Sequence, residues 1–211
     1  MKSSLLKKSL LKKVILFAAV MALVICCGGC SEKLIPEEKY PVVTMELENG
    51  GIVTMKLYPN HAPNTVANFV TLIQSGYYDG LTFHRAVPGF VVQGGSPNGT
   101  GSGNPGYSIA GEFVSNKFTD NRLWHDRGVL SMARNNISND TAGSQFFICL
   151  KDDITSLDGL YAGFGMVTSG MEYIDEIAAL EAISEQIVNQ PVIKKMTVET
   201  FGVKYKVEKM K

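Results

Sequence analysis

From Pro41 onward the chain is organised as short alternating runs. Val43, Met45 and Leu47 alternate with Thr44, Glu46 and Glu48, and Val53, Met55 and Leu57 alternate with Thr54 and Lys56. Asn49-Gly50 lies between them, so a period of two around a turn dipeptide predicts a β-hairpin. The period changes over residues 62–75, where Val66, Phe69, Val70 and Ile73 share one helical face. Pro63 in the first turn and Gly76 just past the end mark the limits of that helix. Short β-type runs then recur between Gly-rich turns, at 82–87, 90–93, 129–133, 146–150 and 164–167. A second helix is predicted at 171–179, with Ser169 and Glu172 spaced as a capping box and Ile174, Ile177 and Ala178 as its apolar stripe. Residues 192–201 close the domain as a strand. About eight strands and two helices without βαβ alternation predict a mainly β fold: a closed eight-stranded antiparallel β-barrel capped by two α-helices.

The first 40 residues follow a different pattern. Lys2, Lys7, Lys8, Lys12 and Lys13 precede an uncharged run over 14–31, whose apolar part ends at Cys27. A cationic start, an apolar run and a small-residue end form a secretory leader. Gly28-Gly29-Cys30 resembles the lipobox of bacterial lipoproteins and makes Cys30 the expected lipid-attachment residue. Cys27 stands where that pattern prefers an aliphatic, and Cys26 and Cys27 lack two small residues before them. An uncleaved single-span anchor is the alternative; 14 apolar residues are short against the roughly 20 a span needs. The expected division is therefore a leader at 1–29, an anchor cysteine with a linker at 30–40, and one domain at 41–211. Either anchor places the domain on the extracytoplasmic side of a cell membrane.

The 211 residues carry 20 Lys+Arg and 20 Asp+Glu. Five of the positive and none of the negative charges lie in residues 1–29. The chain from Cys30 onward therefore carries 15 against 20, a net charge of −5. Scattered Lys and Arg in the domain argue against nucleic acid as a partner. Hydrophobic residues at 45% exclude a disordered chain. Three of the four cysteines fall between residues 26 and 30, which excludes a disulfide framework and leaves Cys149 as a buried apolar residue.

Few reaction chemistries fit the remaining residues. His61, His84 and His125 have no ligand spacing with one another or with Cys149, so no metal site is expected. No G-x-S-x-G turn and no Ser/His/Asp set stands out. Residues 101–106 spell G-x-G-x-x-G, but Pro105 opposes the helix a dinucleotide site needs, and a surface loop is the better reading. Trp124, the only Trp, is assigned to packing. The unusual stretches are Phe83-His84-Arg85, Pro88-Gly89-Phe90, Gln93-Gly94-Gly95 and Gly143-Ser144-Gln145-Phe146-Phe147. By period two, Phe83 and Arg85 share a face, as do Val91 and Gln93.

These residues carry a resemblance. FHR-x-x-PGF-x-x-QGG, Gly99-Thr100-Gly101, the run 129–133, GSQFFI, and Leu157-Asp158-Gly159 followed by Phe164-Gly165 occur in the order of the cyclophilin-type peptidyl-prolyl cis-trans isomerases. The match covers about 41–203. The resemblance implies the eight-stranded barrel, an isomerase of Xaa-Pro bonds acting on proline-containing polypeptides, no cofactor, and a monomer. It implies that Arg85 is the catalytic cation and that Gln93 orients it. Phe90, Val91, Phe147, Leu157 and Tyr161 would line the proline pocket. Ala133, Arg134 and Gln145 would hold the residue before proline. His84 stays open between a structural and a site role. Ser156 and Tyr161 stand where many eukaryotic members have Trp and His, so weak cyclosporin binding is expected. A proline-segment-binding chaperone or receptor module is the alternative to the enzyme.

Overall fold

The computed structural model describes residues 34–210; the leader, its apolar run and Cys30 lie outside them. The domain is a ten-stranded antiparallel sheet with two helices. Its strands are β1 (Val42–Leu47), β2 (Ile52–Leu57), β3 (Thr82–Val87), β4 (Val91–Ser96), β5 (Val129–Met132), β6 (Phe146–Cys149), β7 (Ala162–Ser169), β8 (Ala182–Ile183), β9 (Gln186–Ile187) and β10 (Ile193–Glu199). The spatial order is β10-β1-β2-β7-β5-β6-β4-β3-β9-β8. The first hairpin pairs Met45 with Val53 and Val43 with Met55, as its alternation requires.

Helix α1 (Pro63–Gln74) buries Val66, Phe69, Val70 and Ile73, the four residues of the predicted face. Burying each such side chain contributes about 1.5–3 kcal/mol. Phe69 meets Tyr78, Phe146 and Phe164 at ring-centroid distances of 5.0, 5.5 and 5.1 Å. Ala62 supplies no side-chain cap to this helix. Glu112 does so from a distant loop. Its carboxylate accepts from the N–H of Asn64 at 2.9 Å and from the N–H and hydroxyl of Thr65 at 2.7 Å each.

Three expectations are corrected. The sheet is not a closed eight-stranded barrel, because a hairpin of β8 and β9 occupies the edge of β3 through the pair Arg85–Gln186. The segment before β10 forms no ladder with β3: it meets it at an isolated bridge between Thr82 and Val192, with the Phe83 N–H donating to the Pro191 carbonyl at 3.0 Å. Helix α2 (Met171–Ala178) starts after Gly170, which is left-handed at φ 83°, and has no side-chain cap. Ser169 instead ends β7, paired with Thr54, so the capping box does not form. A Cβ on Gly170 would lie 2.2 Å from the carbonyl oxygen of Ile52, so only glycine fits this junction. Trp124 is 66% exposed and does not pack in the core. Residues just before the domain also bond to it: Ile35 and the side chain of Asn60 exchange hydrogen bonds of 3.1 and 2.9 Å.

The two faces of the sheet feed two clusters. Val92, Leu130, Met132, Phe146 and Ile148 enter the main core. Their neighbours Val91, Val129, Phe147 and Cys149 join Ile154 and Leu157 in a smaller cluster on the other face. That second cluster is the floor of the site.

Candidate active site

Phe83 and Arg85 part company within one strand. Phe83 pairs with Gly94 and Arg85 with Gln93, so His84 is an extra residue and β3 carries a bulge. The bulge breaks the period of two. Phe83 is fully buried in the main core, and Arg85 lines the pocket on the opposite face, contrary to the shared face expected from alternation. Val91 and Gln93, where the ladder is regular, do share a face as expected.

His84 is itself 3% exposed, and neither ring nitrogen has a protein hydrogen-bond partner. Burial, with the Arg85 charge beside it, pushes its imidazole down to about 4. It abuts the loop at Gly101, where a Cβ would lie 3.4 Å from Nε2.

All ten of the expected site residues in the domain are brought together. Arg85, Phe90, Val91, Gln93, Ala133, Arg134, Phe147, Leu157 and Tyr161 line one pocket of about 180 Å³. Gln145 lines an adjoining groove of about 410 Å³, which shares Gln93, Ala133 and Arg134 with the pocket. The strands explain the convergence: β4 supplies Val91 and Gln93, β6 supplies Phe147, and the run after β5 supplies Ala133 and Arg134.

A polar chain crosses the boundary between pocket and groove. Arg85 NH1 donates to Gln93 Oε1 at 3.4 Å, and Gln93 Nε2 donates to Gln145 Oε1 at 3.0 Å. Gln145 Nε2 then donates to the carbonyls of Gly101 and Gly103 at 3.0 and 3.3 Å. The N–H of Ala133 is already bonded to the carbonyl of Gln145 at 2.9 Å, so it is not free to grip a peptide. Arg134 lies over the Tyr161 ring at 4.7 Å and donates from Nε to the carbonyl of Leu160 at 3.1 Å. Tyr161 meets Phe147 edge-on at 5.7 Å. A cation thus covers one aromatic wall of the pocket.

Behind Phe147 the fold assembles a set that the sequence pattern does not reveal. His125 stacks on Phe147 at 6.0 Å. Its Nδ1 is 2.9 Å from Asp158 Oδ1 and its Nε2 is 2.9 Å from Ser131 Oγ. This Ser/His/Asp arrangement is not an acyl-transfer site, because Ser131 has no exposed surface for a substrate to reach. It satisfies buried polar groups under the pocket floor. Cys149, beneath the same floor, is unpaired, and burial pushes its thiol up to about 12. Among the described residues no group of three or more His, Cys, Asp or Glu is placed to hold a metal ion. Sequence reasoning also passed over the loop 101–104, Asn135 and Thr141, all of which line the groove. The run of glycines at 99, 101 and 103, each left-handed, was the available signal for a tightly bent wall there.

An apolar pocket lined by two cations, Arg85 and Arg134, with an amide chain at its mouth, on an antiparallel sheet, suits a small apolar ring flanked by polar groups. The comparisons narrow this further. The family model for cyclophilin type peptidyl-prolyl cis-trans isomerase/CLD matches residues 42–200, and the chain belongs to that family. It is 48% identical over 139 residues to peptidyl-prolyl cis-trans isomerase B of Bacillus subtilis, covering 66% of this chain and 92% of that one. Over 131 residues it is 46% identical to a Helicobacter pylori peptidyl-prolyl cis-trans isomerase, covering 61% of this chain and 76% of that protein. The fold matches a cyclophilin type isomerase of Cryptosporidium parvum, solved in the presence of the dipeptide ala-pro. That match has a TM-score of 0.66 at 31% identity and covers 75% of this chain and 98% of that one.

Proposed function

We propose that this peptidyl-prolyl cis-trans isomerase rotates Xaa-Pro bonds of exported polypeptides at a membrane surface, tethered through Cys30. The observation that carries the catalytic part is the placement of Arg85 and Gln93 at the mouth of the Phe147 pocket.

The reaction breaks no bond. Amide resonance sets a barrier of about 18–20 kcal/mol to rotation, and uncatalysed exchange at proline takes tens to hundreds of seconds. Catalysis requires tighter binding of the twisted amide than of either planar form. In the twisted form the prolyl nitrogen regains a lone pair. Arg85, with its planar fork of donors, hydrogen-bonds that nitrogen. Gln93 holds the NH1 side of the guanidinium. Phe90, Val91, Phe147, Leu157 and Tyr161 take the proline ring, and their apolar surface supplies binding that the rotating half of the peptide does not share. The groove beside Gln145 and Arg134 receives the residues before proline.

A protease-coupled assay on an Xaa-Pro peptide tests the reaction: acceleration is expected, and its absence leaves only a binding module. Support for the anchor comes from the five lysines, the apolar run and Gly28-Gly29-Cys30. Cys30→Ser should abolish lipid labelling and release the domain. Labelling that persists would assign the anchor to Cys26 or Cys27, and membrane retention without labelling to an uncleaved helix.

A further inference from the structure

Glu185 touches Arg85 from outside the pocket. It sits in the two-residue turn of the hairpin formed by β8 and β9, where Ile183 pairs with Gln186. Both turn residues are left-handed without being glycine, Ser184 at φ 50° and Glu185 at φ 70°. Turns of this kind normally select Asn-Gly or Gly, so the side chain at position 185 is held against local preference. The turn is fixed to the catalytic strand by two further contacts. The N–H of Ala86 donates to the Glu185 carbonyl at 2.9 Å, and Gln186 pairs with Arg85. With its backbone so placed, Glu185 Oε2 accepts from Arg85 Nε at 2.8 Å and lies 2.7 Å from NH2 in an ion pair.

We infer that Glu185 is a positioning residue of the isomerase, holding the Arg85 guanidinium at the angle from which it meets the twisted amide. The inference rests on the isomerase reading above. Glu185 takes the Nε–NH2 edge and Gln93 meets NH1, so the guanidinium is held from two sides. Glu185 is not among the residues lining the pocket, so its carboxylate fixes the cation without occupying the place of the proline. Arg85 is a third exposed and its stem is flexible; released from Glu185 it gains orientations that point into water. Only a fraction of these are productive, so the loss falls on the rotation step and not on binding of the ring.

Partly exposed pairs are weak, and the expected effect is correspondingly moderate. In the full chain, Glu185→Ala should lower kcat about three- to tenfold and leave KM within about twofold. Glu185→Gln keeps an oxygen for the Nε–H and should recover half or more of the lost rate. Ser184→Gly, which relaxes the turn and keeps the carboxylate, should leave the rate unchanged. Exchange of the Arg85 Nε–H with water, read by NMR, should be slow in wild type and Glu185→Gln and fast in Glu185→Ala. An active wild type with an equally fast Glu185→Ala would overturn the positioning role and leave the isomerase standing. So would a loss confined to KM, or a Glu185→Gln as slow as Glu185→Ala. An inactive wild type would overturn the isomerase reading and this role with it.

Discussion

Phe83 and Arg85, two residues apart on one strand, face opposite sides of the sheet, and the bulge at His84 is what separates them. One bulge therefore lets a single strand place a core aromatic and the site cation. It also predicts a clean separation of effects. Phe83→Ala should cost about 3–5 kcal/mol of stability through the cavity it leaves in the main core. Arg85→Ala should cost within about 1 kcal/mol, because its ion pair with Glu185 is partly exposed. Urea unfolding of the two variants checks this; comparable destabilisation would mean Arg85 is structural.

His84 makes stability fall on acidification. Its folded-state value is about 4 against an ordinary 6.5, so the folded protein resists a proton that the unfolded chain accepts. The contribution is intact above pH 6.5 and is lost as pH falls from 6.5 towards 4. Between pH 7 and pH 5 the loss from this residue amounts to about 2 kcal/mol. His84→Gln should flatten that part of the profile in denaturant unfolding measured at both pH values. An unchanged slope would show that the imidazole is charged in the fold.

Glu112 caps α1 across 47 residues of chain, through three donors on Asn64 and Thr65. Removing it leaves first-turn donors without partners, so Glu112→Ala should destabilise the domain by about 1–3 kcal/mol. Equilibrium unfolding provides the measurement. The variant should retain its pocket, since Glu112 lies outside both the pocket and the groove.

Ser156 is exposed beside the buried Leu157 of the pocket floor. The chain offers no ring at this place, and on the resemblance drawn from the sequence cyclosporin is expected to bind weakly. Ser156→Trp should strengthen binding by about tenfold, the amount a well-placed aromatic contact contributes. Calorimetric titration of both proteins decides it, and tight binding by the wild type would contradict the expectation.

How legible the molecule was in its sequence depended on regular periods. The first hairpin, the buried face of α1 and the β3 limits at Thr82 and Val87 followed from spacing alone. What was lost lay where the backbone departs from a period. The bulge at His84 reversed Phe83 relative to Arg85 without any compositional mark. The hairpin of β8 and β9 has strands of two residues and a Ser184-Glu185 turn, so neither alternation nor turn chemistry announced it. It in turn took the β3 edge that a closed barrel would have used. His125, Ser131 and Asp158 meet only through the fold, being up to 33 residues apart. The residues that the fold gathers around the pocket and groove were singled out by several motifs in register, which are specific in a way that no single Phe or Gln is.

The central claim is that Arg85 stabilises the twisted amide over the Phe147 pocket. The most direct test is kcat/KM for cis–trans exchange of an Xaa-Pro peptide by the wild type and by Arg85→Ala, both shown to be folded. Loss of a donor aimed at the transition state predicts a fall of about 100-fold or more in the variant, with the peptide still bound. An Arg85→Ala enzyme as fast as the wild type would contradict the account.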